Sequence, residues 1–260
     1  MKRGKLLIAV LAFLVLPGTV YGQNFEISAG VWWVSPDGDL SFAPFSPSRP
    51  DLDNDLGFDS QLEVNFRFKT KFQESPNVYL KLTPIFFEET RSDTQPFAFG
   101  NSVFLGGSPL DSELQLYIYD AALFYRKPIL TIGTTNSLNA EFGIDARFII
   151  SKVEISQSVI EDADSLSLTE ESDRELAIFP LLYGGLDMRV RDKVSLQAEL
   201  WGYTYRGEQI LSIIGRAVAT TADSLQFSAG YRLETLDFEE GTQKLDTTFS
   251  GPFTEVGIEF

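Results

Sequence analysis

Among the residues whose types and spacing could do chemistry, the carboxylates stand out. Glu141 and Asp145 fall on one side of an alternating segment with only Gly143 between them, as a general acid and base would. Arg126 and Arg147 follow the same pattern nearby, so ion pairing is the preferred reading. The run Asp51-Leu-Asp53-Asn-Asp55-Leu-Gly57 spaces its acids as a calcium loop does. It departs from the EF-hand pattern, because the glycine comes one position late and the twelfth position is Leu62 instead of Glu. It reads as a solvated acidic loop. The Ser-rich stretch 156–167 offers hydroxyls without a base to activate them. With His 0 and Cys 0, the chain has no Ser-His machinery, thiolate nucleophile, imidazole or thiolate metal site, or disulfide. No catalytic, cofactor-binding or metal-ligating residue is assigned. The net charge of −16, from 21 Lys and Arg against 37 Asp and Glu, argues against a nucleic-acid partner.

The first segment reads as an address. Lys2, Arg3 and Lys5 precede an uncharged apolar run over 6–16, and Pro17-Gly18 breaks it. Val20-Tyr21-Gly22 places compact residues where a signal peptidase reads. The run is shorter than the ~20 residues of a spanning helix. Residues 1–22 are therefore expected to be a cleaved signal peptide, and 23–260 a single domain.

The rest alternates with period two, the mark of strands with two unlike faces. In 58–69, Phe58, Leu62, Val64, Phe66 and Phe68 share one side, and Asp59, Gln61, Glu63, Asn65, Arg67 and Lys69 the other. The same division recurs at 139–148, 225–234 and 255–260. Segments of this kind lie near 25–34, 58–70, 77–87, 114–127, 137–150, 176–190, 193–206, 209–221, 225–238 and 250–260. The weakest is 209–221, whose 210–214 is apolar throughout; without it, eight strands is the natural even count. Connectors 35–57, 88–113, 151–175 and 239–249 are long and polar, whereas 71–76 and 191–192 are short. The expectation is an all-β, closed antiparallel transmembrane β-barrel of about ten strands, alternatively eight, with long acidic loops on one rim. Pro84 and Pro180 fall inside expected strands and mark bulges or segment ends.

Three features favour a membrane barrel over a soluble sandwich. Phe25, Trp33, Tyr117, Tyr125 and Phe260 fall at strand ends on the apolar side, the positions of an interfacial aromatic belt. Charges occupy mid-strand positions of the polar side. The final strand ends in Phe. The mid-strand charges balance: Glu63, Asp120, Glu141, Asp145, Asp187, Glu199 and Glu234 against Arg67, Lys69, Lys81, Arg126, Arg147, Arg189 and Arg232. Glu26, Glu255 and Glu259 lie nearer the rims. A narrow lumen of low dielectric needs such balance, so these residues are expected to pair inside it. Trp32 reads as lumen packing and Trp33 as belt.

The C-terminal part resembles a family. Gly230-Tyr231-Arg232 on a strand, then Asp237, an acidic loop and Gly251-Pro252-Phe253 leading to Phe260 resemble small Gram-negative outer-membrane proteins, most of all the OMP-with-GlyGly family. Asp120-Ala-Ala-Leu-Phe-Tyr125, Gly143-Ile-Asp-Ala-Arg147 and Pro180-Leu-Leu-Tyr-Gly-Gly185 fit its middle. The likeness covers most of 114–260, with 210–215 more apolar than the family pattern. That family has no agreed activity and transfers no catalytic residue. The resemblance implies periplasmic chaperones and insertion by the outer-membrane assembly machinery, with Val256, Ile258 and Phe260 as the assembly signal.

The reading that follows is a non-enzymatic integral protein of a Gram-negative outer membrane, structural or a narrow, plugged small-solute channel. Its surroundings would be lipid and lipopolysaccharide, with divalent cations at the acidic loops. The alternatives are a surface-exposed binding barrel that uses those loops, and a His-independent hydrolase.

Overall fold

A computed structural model describes residues 25–42, 49–72, 75–92, 96–99, 102–132, 136–162, 165–221, 224–241 and 243–260. The expected leader, 1–22, lies outside them. In chain order the strands are β1 (Phe25–Phe42), β2 (Gln61–Thr70), β3 (Asn77–Arg91), β4 (Phe97–Phe99), β5 (Ser102–Phe104), β6 (Leu110–Ile132), β7 (Asn136–Asp162), β8 (Ser165–Arg191), β9 (Val194–Tyr205), β10 (Glu208–Thr220), β11 (Leu225–Glu240) and β12 (Gln243–Glu259). Ten of them close into an antiparallel barrel in which β1 pairs with both β2 and β12; β4 and β5 form a separate small hairpin. The eight-strand alternative is thereby excluded. Residues 208–220 are laddered on both sides, to β9 and to β11. Their alternation is obscured because Ile210 and Ile214 face inward while Leu211 and Ile213 face outward.

Closure gives every strand of the wall two neighbours, apart from local gaps beside Pro84 and Pro180, which approaches what a spanning sheet requires where no water can satisfy backbone groups. The outward face meets the other half of that requirement. Between 25 and 33 on β1, 117 and 125 on β6, 138 and 150 on β7, 176 and 190 on β8, and 225 and 233 on β11, no outward side chain is charged. Large apolar side chains such as Leu123, Ile144, Leu182 and Phe227 stand 48–71% exposed there. The spans on β1, β6 and β11 match the about 9–11 residues with which a tilted strand crosses a bilayer, and those on β7 and β8 exceed it.

The facing strand ends Thr70/Asn77, Ile132/Asn136, Arg191/Val194 and Thr220/Leu225 share the rim of the short turns with Phe25 and Phe260, whose backbones are hydrogen-bonded to each other. The opposite rim carries 49–60, β4 and β5, the facing strand ends Asp162/Ser165 and Glu240/Gln243, and the β9–β10 turn. Arg206 and Gly207 form that turn, both with positive φ as a two-residue hairpin demands. The strands on this rim run further than expected. Residues 151–162 and 165–175 continue β7 and β8, and 243–249 belong to β12. At 27 residues each, β7 and β8 are over twice the length that spans a membrane, so they project well beyond it.

Both prolines sit where a strand loses one neighbour. The β2–β3 ladder holds only Phe66–Lys69 against Tyr79–Leu82, so Pro84 lies beyond it and pairs with Tyr117 of β6 alone. The β8–β9 ladder stops at Leu182, and Pro180 pairs only with Ala146 of β7. A local edge tolerates the missing donor. No register shift accompanies either residue; the shifts fall at Pro128/Leu130, Ile160/Asp162 and Arg189/Arg191.

Candidate functional site in the barrel interior

The interior has two layers. Towards the short-turn rim, inward side chains are mostly charged, and their pairing can be followed as one line across the lumen. Lys71 pairs with Glu26 (2.6 Å), and Glu26 with Arg67. Arg67 pairs with Glu255 (3.1 Å), and Glu255 with Arg216 (2.9 Å). Arg216 pairs with Glu199, Glu199 with Lys69 (3.0 Å), and Lys69 with Glu141 (2.6 Å). Glu141 then meets Arg126 (3.8 Å), which pairs with Asp187. Signs alternate along the whole line. Tyr183 ties it together, accepting from Lys69 Nζ (3.1 Å) and donating to Glu141 (2.7 Å).

A second group lies deeper. Lys81 meets Asp120 (3.0 Å), Asp120 meets Arg147 Nε (2.5 Å), and Arg147 reaches across to Glu234, which also holds Arg232. Lys81, Asp120 and Arg147 form one row because Lys81 opposes Asp120 on β3–β6 and Asp120 opposes Arg147 on β6–β7. Two tryptophans cover the cations: Lys81 Nζ lies 4.2 Å from the Trp201 ring, and Arg232 stands 4.5 Å from that of Trp32. An unpaired ion here would cost several kcal/mol, which accounts for the alternation of sign.

Three residues expected to pair do not, among the described residues. Glu63 has no cation within reach; its Oε1 accepts the N–H of Phe86 (2.9 Å), a donor left free where the β2–β3 ladder has ended. Both Asp145 oxygens lack a hydrogen-bond partner, although the carboxylate faces Asp120, Arg147 and Lys81. Arg189 is exposed at the short-turn mouth. Arg216 was not among the expected ion pairs, yet its side chain is fully enclosed by Glu199 and Glu255. The reason is that 210–214 hides the alternation that would place Arg216 inside.

The upper layer corrects the expectation of a polar interior. Above Asp120, Arg147 and Glu234 the inward positions become Leu114, Leu116 and Ile118 on β6, Ile149, Val153 and Ile155 on β7, and Leu236 and Phe238 on β11, all buried. Ile85, Phe87, Phe249 and the loop residue Phe58 complete the mass; Phe87 lies 5.5 Å from Phe58 and 6.1 Å from Phe249, ring to ring. The β4–β5 hairpin closes over it with Phe97 and Phe104 stacked at 5.4 Å. Gln157 fastens the segment after β5, accepting from Leu105 N (2.8 Å) and donating to Leu105 O (2.7 Å).

Outside the lumen, Trp33 and Tyr125 are half exposed to the surroundings, and Phe25 and Tyr117 are partly covered. Phe25 stacks on Phe68 at 6.0 Å, and Tyr117 meets Phe86 edge-on at 5.2 Å. Val256, Ile258 and Phe260 all point outward at the seam with β1. In the acidic loop, Asp51 accepts the N–H groups of Asp53 (3.0 Å) and Asn54 (2.6 Å), and Asp55 accepts that of Asp51 (2.9 Å). Among the described residues no three acidic side chains are grouped to hold a metal ion. Partial burial, then the neighbouring Asp51 and Asp246, raise the Asp39 carboxyl above its ordinary value, with Arg49 opposing them.

The role of Glu63 gives a test. Glu63→Gln keeps an acceptor for Phe86 N and should leave stability nearly unchanged. Glu63→Leu orphans that donor and should cost about 1–3 kcal/mol in urea unfolding of the detergent-solubilised barrel. Equal losses from the two variants would show that the carboxylate does not cap β3.

Fold and interior together define a transmembrane β-barrel with an ion-paired floor and an apolar roof. No protein-family model matches the chain, and no curated protein matches it. The likeness expected to the OMP-with-GlyGly family therefore has no matching model behind it. The solved structures it resembles are Gram-negative outer-membrane barrels. The outer membrane protease OmpT of Escherichia coli is 10% identical, with 95% of this chain and 99% of that one covered and a TM-score of 0.47. The attachment invasion locus protein Ail of Yersinia pestis is 11% identical, with 92% and 99% covered and a TM-score of 0.36. The toluene transporter TodX of P. putida is 10% identical, with 97% and 92% covered and a TM-score of 0.32.

Proposed function

We propose that this chain is an outer-membrane protein of a Gram-negative bacterium whose barrel is sealed and serves as a structural anchor, not as a pore. In this reading residues 1–22 are removed on export. The assembly machinery inserts the barrel with both ends and the short turns in the periplasm. The long β7–β8 hairpin and the acidic connectors then meet the outside, where divalent cations bridge them to lipopolysaccharide. The carrying observation is the apolar mass over the charged layer. A water-filled conduit would place polar side chains at every level, whereas here Leu116, Ile118, Ile85, Phe87 and Leu236 are fully buried across the lumen.

Planar-bilayer recording tests this reading. The reconstituted barrel, checked for a heat-dependent gel shift, should give no steady single-channel current. A reproducible ion-selective conductance would overturn the sealed lumen. A second reading, surface recognition, draws support from the projecting β7–β8 hairpin, whose β8 side has no strand partner above Leu182. Replacing the hairpin tip by a short turn would then preserve the gel shift and abolish surface binding.

A further inference from the structure

An open basin of about 300 Å3 lies at the short-turn mouth, at the lower end of the about 300–1,000 Å3 usual for small-molecule sites. Its lining has the opposite sign to the chain as a whole. Five cations, Lys71, Arg126, Arg189, Arg191 and Lys193, face three carboxylates, Asp187, Asp192 and Glu259, on a protein of net charge −16. Two of the cations are already neutralised within the protein: Arg126 by Asp187 and Lys71 by Glu26. Arg189, Arg191 and Lys193 have no ion pair among the described residues. They crowd into five positions around the β8–β9 turn, next to the register shift at Arg189/Arg191. Ser195 and Gln197 add neutral donors to the same wall.

We propose that this basin binds a soluble phosphate-bearing anion through Arg189, Arg191 and Lys193. Arginine offers paired N–H donors that match phosphate oxygens, and lysine adds a compact charge. Concavity matters here, because low-dielectric walls focus the field of several like charges that would be weak singly on a flat surface. The Arg126–Asp187 pair in the lining joins the basin to the alternating line of ions behind it, so the anion is held at a blind end and is not passed on. The barrel wall separates the basin from lipid, which favours a soluble anion over a lipid headgroup.

Isothermal titration of the detergent-solubilised protein with pyrophosphate and with inorganic phosphate tests the proposal. Saturable binding is expected, tighter for pyrophosphate and weakened by added salt. The combined variant Arg189→Gln, Arg191→Gln, Lys193→Gln should weaken it by about ten-fold or more. Asp192→Asn, which removes an opposing charge and suits a turn, should strengthen it by about three-fold. Lys244→Gln on the opposite rim should change nothing. If the triple variant loses its gel shift, Asp192→Asn decides alone. Non-saturating heats, or affinities indifferent to these changes, overturn the site. The remaining source is tested in vesicles. If pyrophosphate does not bind, while phosphatidylglycerol raises the melting temperature of the wild type and not of the triple variant, the soluble anion is overturned in favour of a headgroup.

Discussion

Arg147→Met should lower the unfolding free energy of the barrel by about 3–5 kcal/mol, the largest loss expected from any single lumenal charge. Arg147 has no solvent-exposed surface and is bound by Asp120 on the adjacent β6 and by Glu234 across the lumen on β11. Removing it leaves two carboxylates facing each other without a cation between them, while Lys81 and Arg232 each retain only an outer flank. The cost arises from what remains, not only from what is lost. Lys81–Asp120 and Arg232–Glu234 survive as pairs, and Asp145 is the carboxylate then left in excess, so adding Asp145→Asn to Arg147→Met should recover much of the stability, although a second side chain is changed. Urea unfolding in detergent, with the gel shift as a check of native closure, measures both. A single variant as stable as wild type, or a double variant worse than the single, would sink the view that this cluster is an electrostatic staple. Arg189→Met is the comparison: exposed at the mouth, it should cost no more than about 0.5 kcal/mol.

Period-two patterning made the wall legible. Each expected segment corresponds to a barrel strand, because the lipid-facing side of a spanning strand must be continuously apolar and the opposite side need not be. The pairing partners were less accessible. Lys69 meets Glu199 across the barrel, 130 positions away, and no local pattern carries that information. Rows such as Lys81–Asp120–Arg147 become readable only once register is known.

The apolar roof was present in the sequence as a change of phase. On β6 the apolar positions are 117, 119, 121, 123 and 125 near the mouth, then 110, 114, 116 and 118 above, switching from odd to even. On β7 they pass from 142, 144 and 148 to 149, 153 and 155, and on β11 from 231 and 233 to 236 and 238. A strand that leaves the membrane exchanges lipid for water outside, so its outer face turns polar, as at Glu113, Lys152 and Asp237. Its inner face can then carry an ordinary hydrophobic core. On β7 most of the switch, at Val153 and Ile155, falls in 151–175, which reads as a loop, whereas on β6 and β11 it falls at the ends of the expected strands.

Closure itself depends on close approach at the seam between the first strand and the last. A Cβ built on Gly251 of β12 would stand 1.8 Å from the carbonyl oxygen of Trp33, and one on Gly30 of β1 would stand 2.3 Å from that of Thr254. Both obstacles are backbone atoms, which cannot swing aside as a side chain can. Trp32 Nε1 also donates to the Gly251 carbonyl (3.2 Å), so a shift of this strand disturbs the lumen too. Gly251→Ala should therefore open the β1–β12 ladder and sharply reduce the fraction of molecules that show the compact, heat-sensitive band. Overpacking of an interior typically costs about 1–3 kcal/mol; here the displaced atoms belong to the ladder that closes the barrel, so the loss falls on assembly yield as well. Gly215→Ala supplies the contrast, since its Cβ would meet nothing within 4 Å. That change should be neutral or slightly favourable, because alanine loses less chain entropy in a strand. If Gly251→Ala and Gly215→Ala assemble equally well, the seam is not held at van der Waals limit, and the glycines on its two strands have another cause.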